Sequence, residues 1–179
     1  MRKLTTMFRS YIDGIGYTYI KKYTKEKPSA IIKGSSAKRE FYNSTILNKI
    51  GIRQPEIICV ATKYNGFMPI RSFIITKEVK HADSLWNILE NAKKRNNDNG
   101  IKELALALKV EISGMHANNF CHWDLKPRNI LIVRNTDGTH FIPIDSRNGR
   151  IIRPYNRVFC IRRDCSFLLK EPLLALYLK

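Results

Sequence analysis

Apolar and polar positions alternate at the start of this chain. "FRSYI" (8–12) and "GYTYIKKY" (16–23) are rich in aromatic and β-branched residues and flank Asp13-Gly14, a pair suited to a hairpin turn. "SSAKREFYNSTILNKIG" then places Phe41, Ile46, Leu47 and Ile50 near helical spacing, with Gly51 positioned to end the helix. Two apolar runs, "EIICVAT" and "RSFIITKEV", follow as strands around the turn "KYNGFMP". From "DSLWNILE" the pattern becomes helical. "NAKKRNNDNG" is polar and loop-like, and "IKELALALKVEISGMHANN" predicts a long apolar helix. "NILIV" and "HFIPID" read as short strands joined by "RNTDG", and "RRDCSFLLKEPLLALYLK" as helix on both sides of Pro172.

These elements predict an α+β fold with a β-rich N-lobe at 1–80 and a helical C-lobe at 81–179, together one domain. The boundary falls near Val79–Ala82. A length of 179 residues and an apolar content of 44% fit one domain that buries a core. No apolar stretch reaches the ~20 residues a membrane span needs, and "MRKLTTMFRSYIDG" lacks the apolar segment of a secretory signal. A cytoplasmic location is therefore expected. Cys59, Cys121, Cys160 and Cys165 form no CxxC pair and are expected to be free thiols.

Charge changes the picture. The net charge of +17 is concentrated in the first fifty residues and in 126–163, which favours an anionic partner: nucleic acid, a phosphorylated substrate or an acidic membrane surface. No aromatic-basic RNA-binding signature or zinc-finger spacing accompanies it, so nucleic acid is not expected.

The chemistry concentrates in "FCHWDLKPRNILIV" (120–133), where His122, Asp124, Lys126 and Asn129 sit between two apolar runs. A loop leaving a buried helix can hold an Asp rigidly against a hydroxyl. An Asn five residues on, and Asp145 at the end of the next strand, can share a divalent ion, and such hard oxygen ligands suit Mg²⁺. Phosphoryl transfer in kinases divides the work in this way.

"HWDLKPRN" resembles the protein-kinase catalytic loop H-R-D-L-x-x-x-N, and "IPID" the strand leading into the D-F-G aspartate. The resemblance implies a protein-kinase-like bilobal fold with Asp124 as base, Asn129 and Asp145 on metal, and a nucleotide lysine paired with a helix glutamate. Glu40 in "AKREF" is the matching acid. Lys33, ending "SAIIK", lies only seven residues before it, too few for a strand end, a connection and a helical turn. Lys21 lies nineteen residues before it and is the favoured lysine, with Lys22 and Lys33 as alternatives. No glycine lies at or before residue 8, where a phosphate-covering loop would then fall; "GIG" at 14–16 is the alternative.

Trp123 stands where protein kinases have Arg, Ser146-Arg147 where they have Phe-Gly, and only 34 residues follow Asp145, too few for a protein-substrate platform. The order of "YIKKY", "SAKREFYNSTILNKIGIRQPE", "SFIITKEVKHADSLWNIL", "MHANNFCHWDL", "PIDSRNGR" and "RVFCIRRDCSFLL" is instead similar to the lipopolysaccharide kinases, bacterial enzymes that phosphorylate Kdo or heptose of the inner core. This resemblance implies ATP and Mg²⁺ as cofactors. It implies nascent lipopolysaccharide as acceptor, on the cytoplasmic face of the inner membrane, whose anionic surface the protein would meet peripherally.

The resemblance assigns Lys21 to the α/β-phosphates, Glu40 to positioning Lys21, and Lys126 to the transferred phosphoryl. His122 would support the loop, and Arg163-Asp164 would open a helix packed under it. The Leu-rich "FLLKEPLLALYL" reads first as core helix and second as a membrane-surface segment. Two rivals remain. A kinase for a cationic small molecule would want acidic residues near the loop, whereas 125–163 holds nine Lys/Arg and two Asp. A catalytically inactive binding module would explain the missing glycine loop, but it need not retain Asp124, Asn129 and Asp145 together.

Overall fold

The structure is a computed structural model and describes residues 5–95, 100–136 and 138–178. The chain divides into two compact units, one of 1–45 and 55–79, the other of 46–54 and 80–179.

The first unit is built on a four-stranded antiparallel sheet, order β1-β2-β4-β3, from β1 (Thr5–Ile12), β2 (Gly16–Tyr23), β3 (Ile57–Asn65) and β4 (Met68–Lys77). The β1–β2 hairpin turns at Asp13-Gly14 as its sequence predicts. Gly14 and Gly16 take φ of 76° and 95°, so "GIG" belongs to this turn and the strand after it. "SAIIK" is not a strand: Ala30–Lys33 form a single helical turn, α1, before Gly34. β3 and β4 run deeper into "KYNGFMP" than expected and leave only Gly66 and Phe67 between them.

α2 (Ser36–Lys49) ends where Gly51 at φ 85° permits a left-handed exit. The apolar spacing misread its buried face. Phe41 is exposed, whereas Ala37, Glu40, Asn43, Ser44 and Leu47 are buried in the three-four repeat of one helix side. That side is mostly polar, and Glu26 supports it. Its buried carboxylate accepts the Ser36 N–H (2.9 Å), the Ser36 hydroxyl (2.8 Å) and the Ser72 hydroxyl (2.5 Å), placing a negative charge at the helix N-terminus where the dipole favours it.

In the second unit, β5 (Ala82–Ser84) leads into α3 (Leu85–Lys94), whose first turn is capped by the Ser84 hydroxyl accepting from the Asn87 N–H. α4 (Ile101–Ala117) buries Ile101, Leu104, Ala105, Leu108, Ile112, Met115 and His116 along one stripe, the pattern its sequence predicts. The polar stretch expected at 91–100 extends over residues 96–99, outside the described residues, and Asp137 of "RNTDG" also lies outside them. β6 (Phe120–Cys121), β7 (Ile130–Asn135), β8 (Gly138–Pro143) and β9 (Arg150–Ile151) complete two small antiparallel sheets, β5-β7-β8 and β6-β9.

α5 (Arg157–Leu168) and α6 (Pro172–Leu178) close the chain. Leu174 is fully buried, and Leu173, Tyr177 and Leu178 pack on the main core with Leu85, Leu108 and Phe120, so the C-terminal run is core helix rather than a surface segment. Each such apolar side chain contributes about 1.5–3 kcal/mol of burial. Among the described residues, no helix is long and apolar enough to cross a membrane.

Candidate active site

α4 delivers the chain into β6, and the next residues form the loop that the sequence singled out. Phe120, Cys121 and His122 are fully buried; Trp123 then takes a left-handed backbone at φ 70°, a conformation costly for a bulky side chain. The buried carboxylate of Asp164, in the middle of α5 rather than at its start, holds this turn. It accepts the backbone N–H of Trp123 (2.7 Å) and of His122 (2.9 Å), and it meets His116 Nε2 at 3.1 Å. Burial and this neighbouring carboxylate push the Cys121 thiol far up, so it stays protonated.

His122 donates from Nε2 to the Ile144 carbonyl (3.0 Å), and complete burial pushes its pKa down, keeping the ring neutral. The loop is thereby tied to the residue before Asp145. A second tie runs from the Ile144 N–H to the Asn129 carbonyl (2.8 Å). Asn129 in turn donates from Nδ2 to the Asp124 carbonyl (2.9 Å) and towards its Oδ2 (3.4 Å), while Lys126 Nζ sits 2.5 Å from Asp124 Oδ1. Asp124, Lys126 and Asn129 thus form one bonded assembly tied to Ile144, and Asp145 follows Ile144 in a left-handed conformation (φ 61°) with Arg147 3.7 Å from it.

The donor set fits Mg²⁺. Among the described residues, no cluster of three His, Cys, Asp or Glu could cage a metal by itself. Mg²⁺ asks for less, binding through one or two carboxylates with water and substrate phosphates. Because Asn129 spends its amide N–H on Asp124, its amide oxygen is the atom available to a cation.

In the first unit, β2 presents Lys21 to Glu40 of α2. Nζ lies 3.1 Å from both carboxylate oxygens, and the two side chains are only 13% and 10% exposed. The Tyr23 hydroxyl donates to the same carboxylate in a short hydrogen bond. Lys22 points to solvent from the same strand, and Lys33 is exposed at the end of α1.

Asp164 lies under the loop as the resemblance implies, although in the middle of its helix rather than at its start. One supporting residue was not legible as such. Glu26 sits in "TKEKP" and looked like an exposed charge.

A sequence profile of the lipopolysaccharide kinase (Kdo/WaaP) family matches residues 3–160. The chain belongs to that family. It is therefore a kinase acting in lipopolysaccharide core synthesis, and its mixed fold of sheets and helices is kinase-like. Among solved structures, WaaP in complex with acyl carrier protein is similar, with a TM-score of 0.68 and 17% identity over 93% of this chain and 67% of that one. No curated protein matches the chain.

Proposed function

We propose that this lipopolysaccharide kinase transfers the γ-phosphoryl group of ATP to a hydroxyl of Kdo or heptose in the inner core. The observation that carries this reading is the fixed Asp124, braced by Asn129 and Lys126 on a loop that Asp164 anchors. Asp124 orients the acceptor hydroxyl and takes its proton as the new P–O bond forms and the bond to the ADP leaving oxygen breaks. Lys126, at the same carboxylate, offsets the charge spread over the transferring phosphoryl. Asn129 and Asp145 would hold Mg²⁺, which neutralises phosphate charge when bound. Lys21 contacts the α- and β-phosphates, and Glu40 keeps it extended. His122, neutral and buried, keeps the loop in place.

The same reading sets the protein peripherally on the anionic inner-membrane surface. Its support is a corner of the second unit where Ile151, Tyr155, Val158 and Phe159 are 51–80% exposed among Arg150, Arg153, Arg157 and Arg162.

The decisive experiment is transfer of labelled phosphate from ATP to purified core oligosaccharide, with wild type and Asp124→Ala. Mg²⁺-dependent transfer lost in the variant supports the reading. Protein that binds neither ATP nor Mg²⁺, with variant and wild type alike, makes it a binding module. Mass spectrometry of lipopolysaccharide from cells with and without the protein identifies the sugar.

A further inference from the structure

Three cations gather around one aromatic ring beside the catalytic loop. Lys126 Nζ lies 5.0 Å from the centroid of Phe167, the Arg163 guanidinium 5.4 Å and Lys170 Nζ 5.5 Å. Arg163 also lies 4.7 Å from the centroid of Trp123, whose ring is covered by Arg150 at 3.5 Å. Arg163 and Phe167 are four residues apart on one side of α5, and Lys170 follows two residues after its end.

The grouping is unusual in what neutralises it. Among the described residues, Lys126 is ion-paired only with Asp124, and no carboxylate lies within ion-pair distance of Arg163 or Lys170. Arg163 Nε is buried without a hydrogen-bond partner. An aromatic face attracts a cation through its quadrupole but does not cancel its charge. The two rings therefore hold Arg163 and Lys170 beside the loop without cancelling their charge. An oxyanion entering there would offset that charge and satisfy the orphaned guanidinium donor, and a guanidinium suits phosphate or carboxylate oxygens.

We propose that Lys126, Arg163, Lys170 and the Phe167 ring form a site for an anionic substituent of the acceptor, a phosphate monoester or carboxylate, next to the hydroxyl that Asp124 addresses. This rests on the kinase reading above for the position of that hydroxyl. The site selects acceptors that already bear a negative charge and sets their register. Lys126 is shared between this group and the transferred phosphoryl, whereas Arg163 and Lys170 serve the acceptor alone.

Trp123 supplies a readout independent of turnover. In a Trp86→Phe background its emission is titrated with a pyranose 6-phosphate, a pyranose carboxylate and the uncharged parent sugar; the Trp123 indole N–H resonance of the unsubstituted chain reports the same event by NMR. Saturable responses to the charged sugars only are expected, weakened at least about tenfold, ~1.4 kcal/mol, by Lys170→Ala, Arg163→Gln or Phe167→Leu. In turnover assays Lys170→Ala should raise the acceptor KM by a similar factor with kcat nearly unchanged. Equal responses to charged and neutral sugars, or variants that bind as wild type does, would overturn the proposal. A wild type that binds the charged sugars at this site yet transfers no phosphate would overturn the kinase reading and leave the anion site standing.

Discussion

Asp164 and Trp123 are joined by a 2.7 Å hydrogen bond from the Trp123 backbone N–H to the buried carboxylate, at the residue where the loop turns left-handed. The bond explains how a bulky residue is kept at φ 70° immediately before Asp124. Removing the carboxylate strands the N–H groups of His122 and Trp123 and takes away the partner of His116. Unsatisfied buried donors cost about 1–3 kcal/mol each, so Asp164→Ala should lose about 3 kcal/mol or more in urea unfolding. Asp164→Asn, which keeps one acceptor oxygen but turns an N–H₂ towards a donor, should fall between. An alanine variant within about 0.5 kcal/mol of wild type, the range of an ordinary surface change, would mean that the turn is held by something else.

The lysine of the first unit can be tested against its neighbours. Lys21 meets both oxygens of Glu40, whereas Lys22 and Lys33 face solvent. If Lys21 serves the nucleotide phosphates, Lys21→Met should lower phosphate transfer roughly 100-fold or more, the scale for removing one preorganised electrostatic contact. Lys33→Met should leave the rate within about twofold. The opposite ranking would move the nucleotide contact to the α1 turn.

Where the fold was legible in the sequence, apolar spacing and turn residues carried it: α4 and the β7–β8 pair bury what their patterns mark, while the β1–β2 hairpin follows its Asp13-Gly14 turn and leaves Phe8, Tyr11 and Tyr17 exposed. It failed where burial is polar. α2 hides Glu40, Asn43 and Ser44 and shows Phe41 to solvent, because Lys21, Tyr23 and the Glu26–Ser72 network meet it with hydrogen bonds, which hydropathy cannot register. "SAIIK" has strand-like composition, yet it folds as a helical turn between Pro28 and Gly34. Of the candidate site, residue types and spacing singled out Asp124, Lys126, Asn129 and Asp145, and the structure joins the first three through hydrogen bonds and an ion pair. The support from Asp164 depends on a contact across some forty residues, which local spacing cannot contain.

His122 gives the protein a pH dependence of definite sign. Its pKa is pushed down by burial in the folded chain, while in the unfolded chain it titrates near ~6.5. Below that pH the unfolded state binds the proton and the folded state does not, so stability falls as the pH drops, by up to ~1.4 kcal/mol per pH unit, until the folded ring itself protonates. Urea unfolding from pH 7.5 to 5 should therefore be steeper for wild type than for His122→Gln. Parallel curves would mean that His122 takes up its proton equally in both states.

If the protein binds an anionic bilayer as proposed, the exposed corner at β9 and α5 is the expected contact. Tyr155, Val158, Phe159 and Arg162 follow helical spacing, and Tyr155 and Val158 are 80% and 62% exposed. A basic residue near an anionic bilayer contributes about 1 kcal/mol, and an inserted apolar side chain up to ~1.5–3 kcal/mol. Wild type should sediment with phosphatidylglycerol vesicles at low salt, release as salt rises, and ignore neutral phosphatidylcholine vesicles. The double variant Tyr155→Ser, Val158→Ser should bind at least about tenfold more weakly. Leu176→Ser, at an equally exposed position on α6, should bind as wild type does. If Leu176→Ser is the change that abolishes sedimentation, the contact lies at the C-terminal helix. If no vesicle is bound at low salt, the corner does not serve a bilayer.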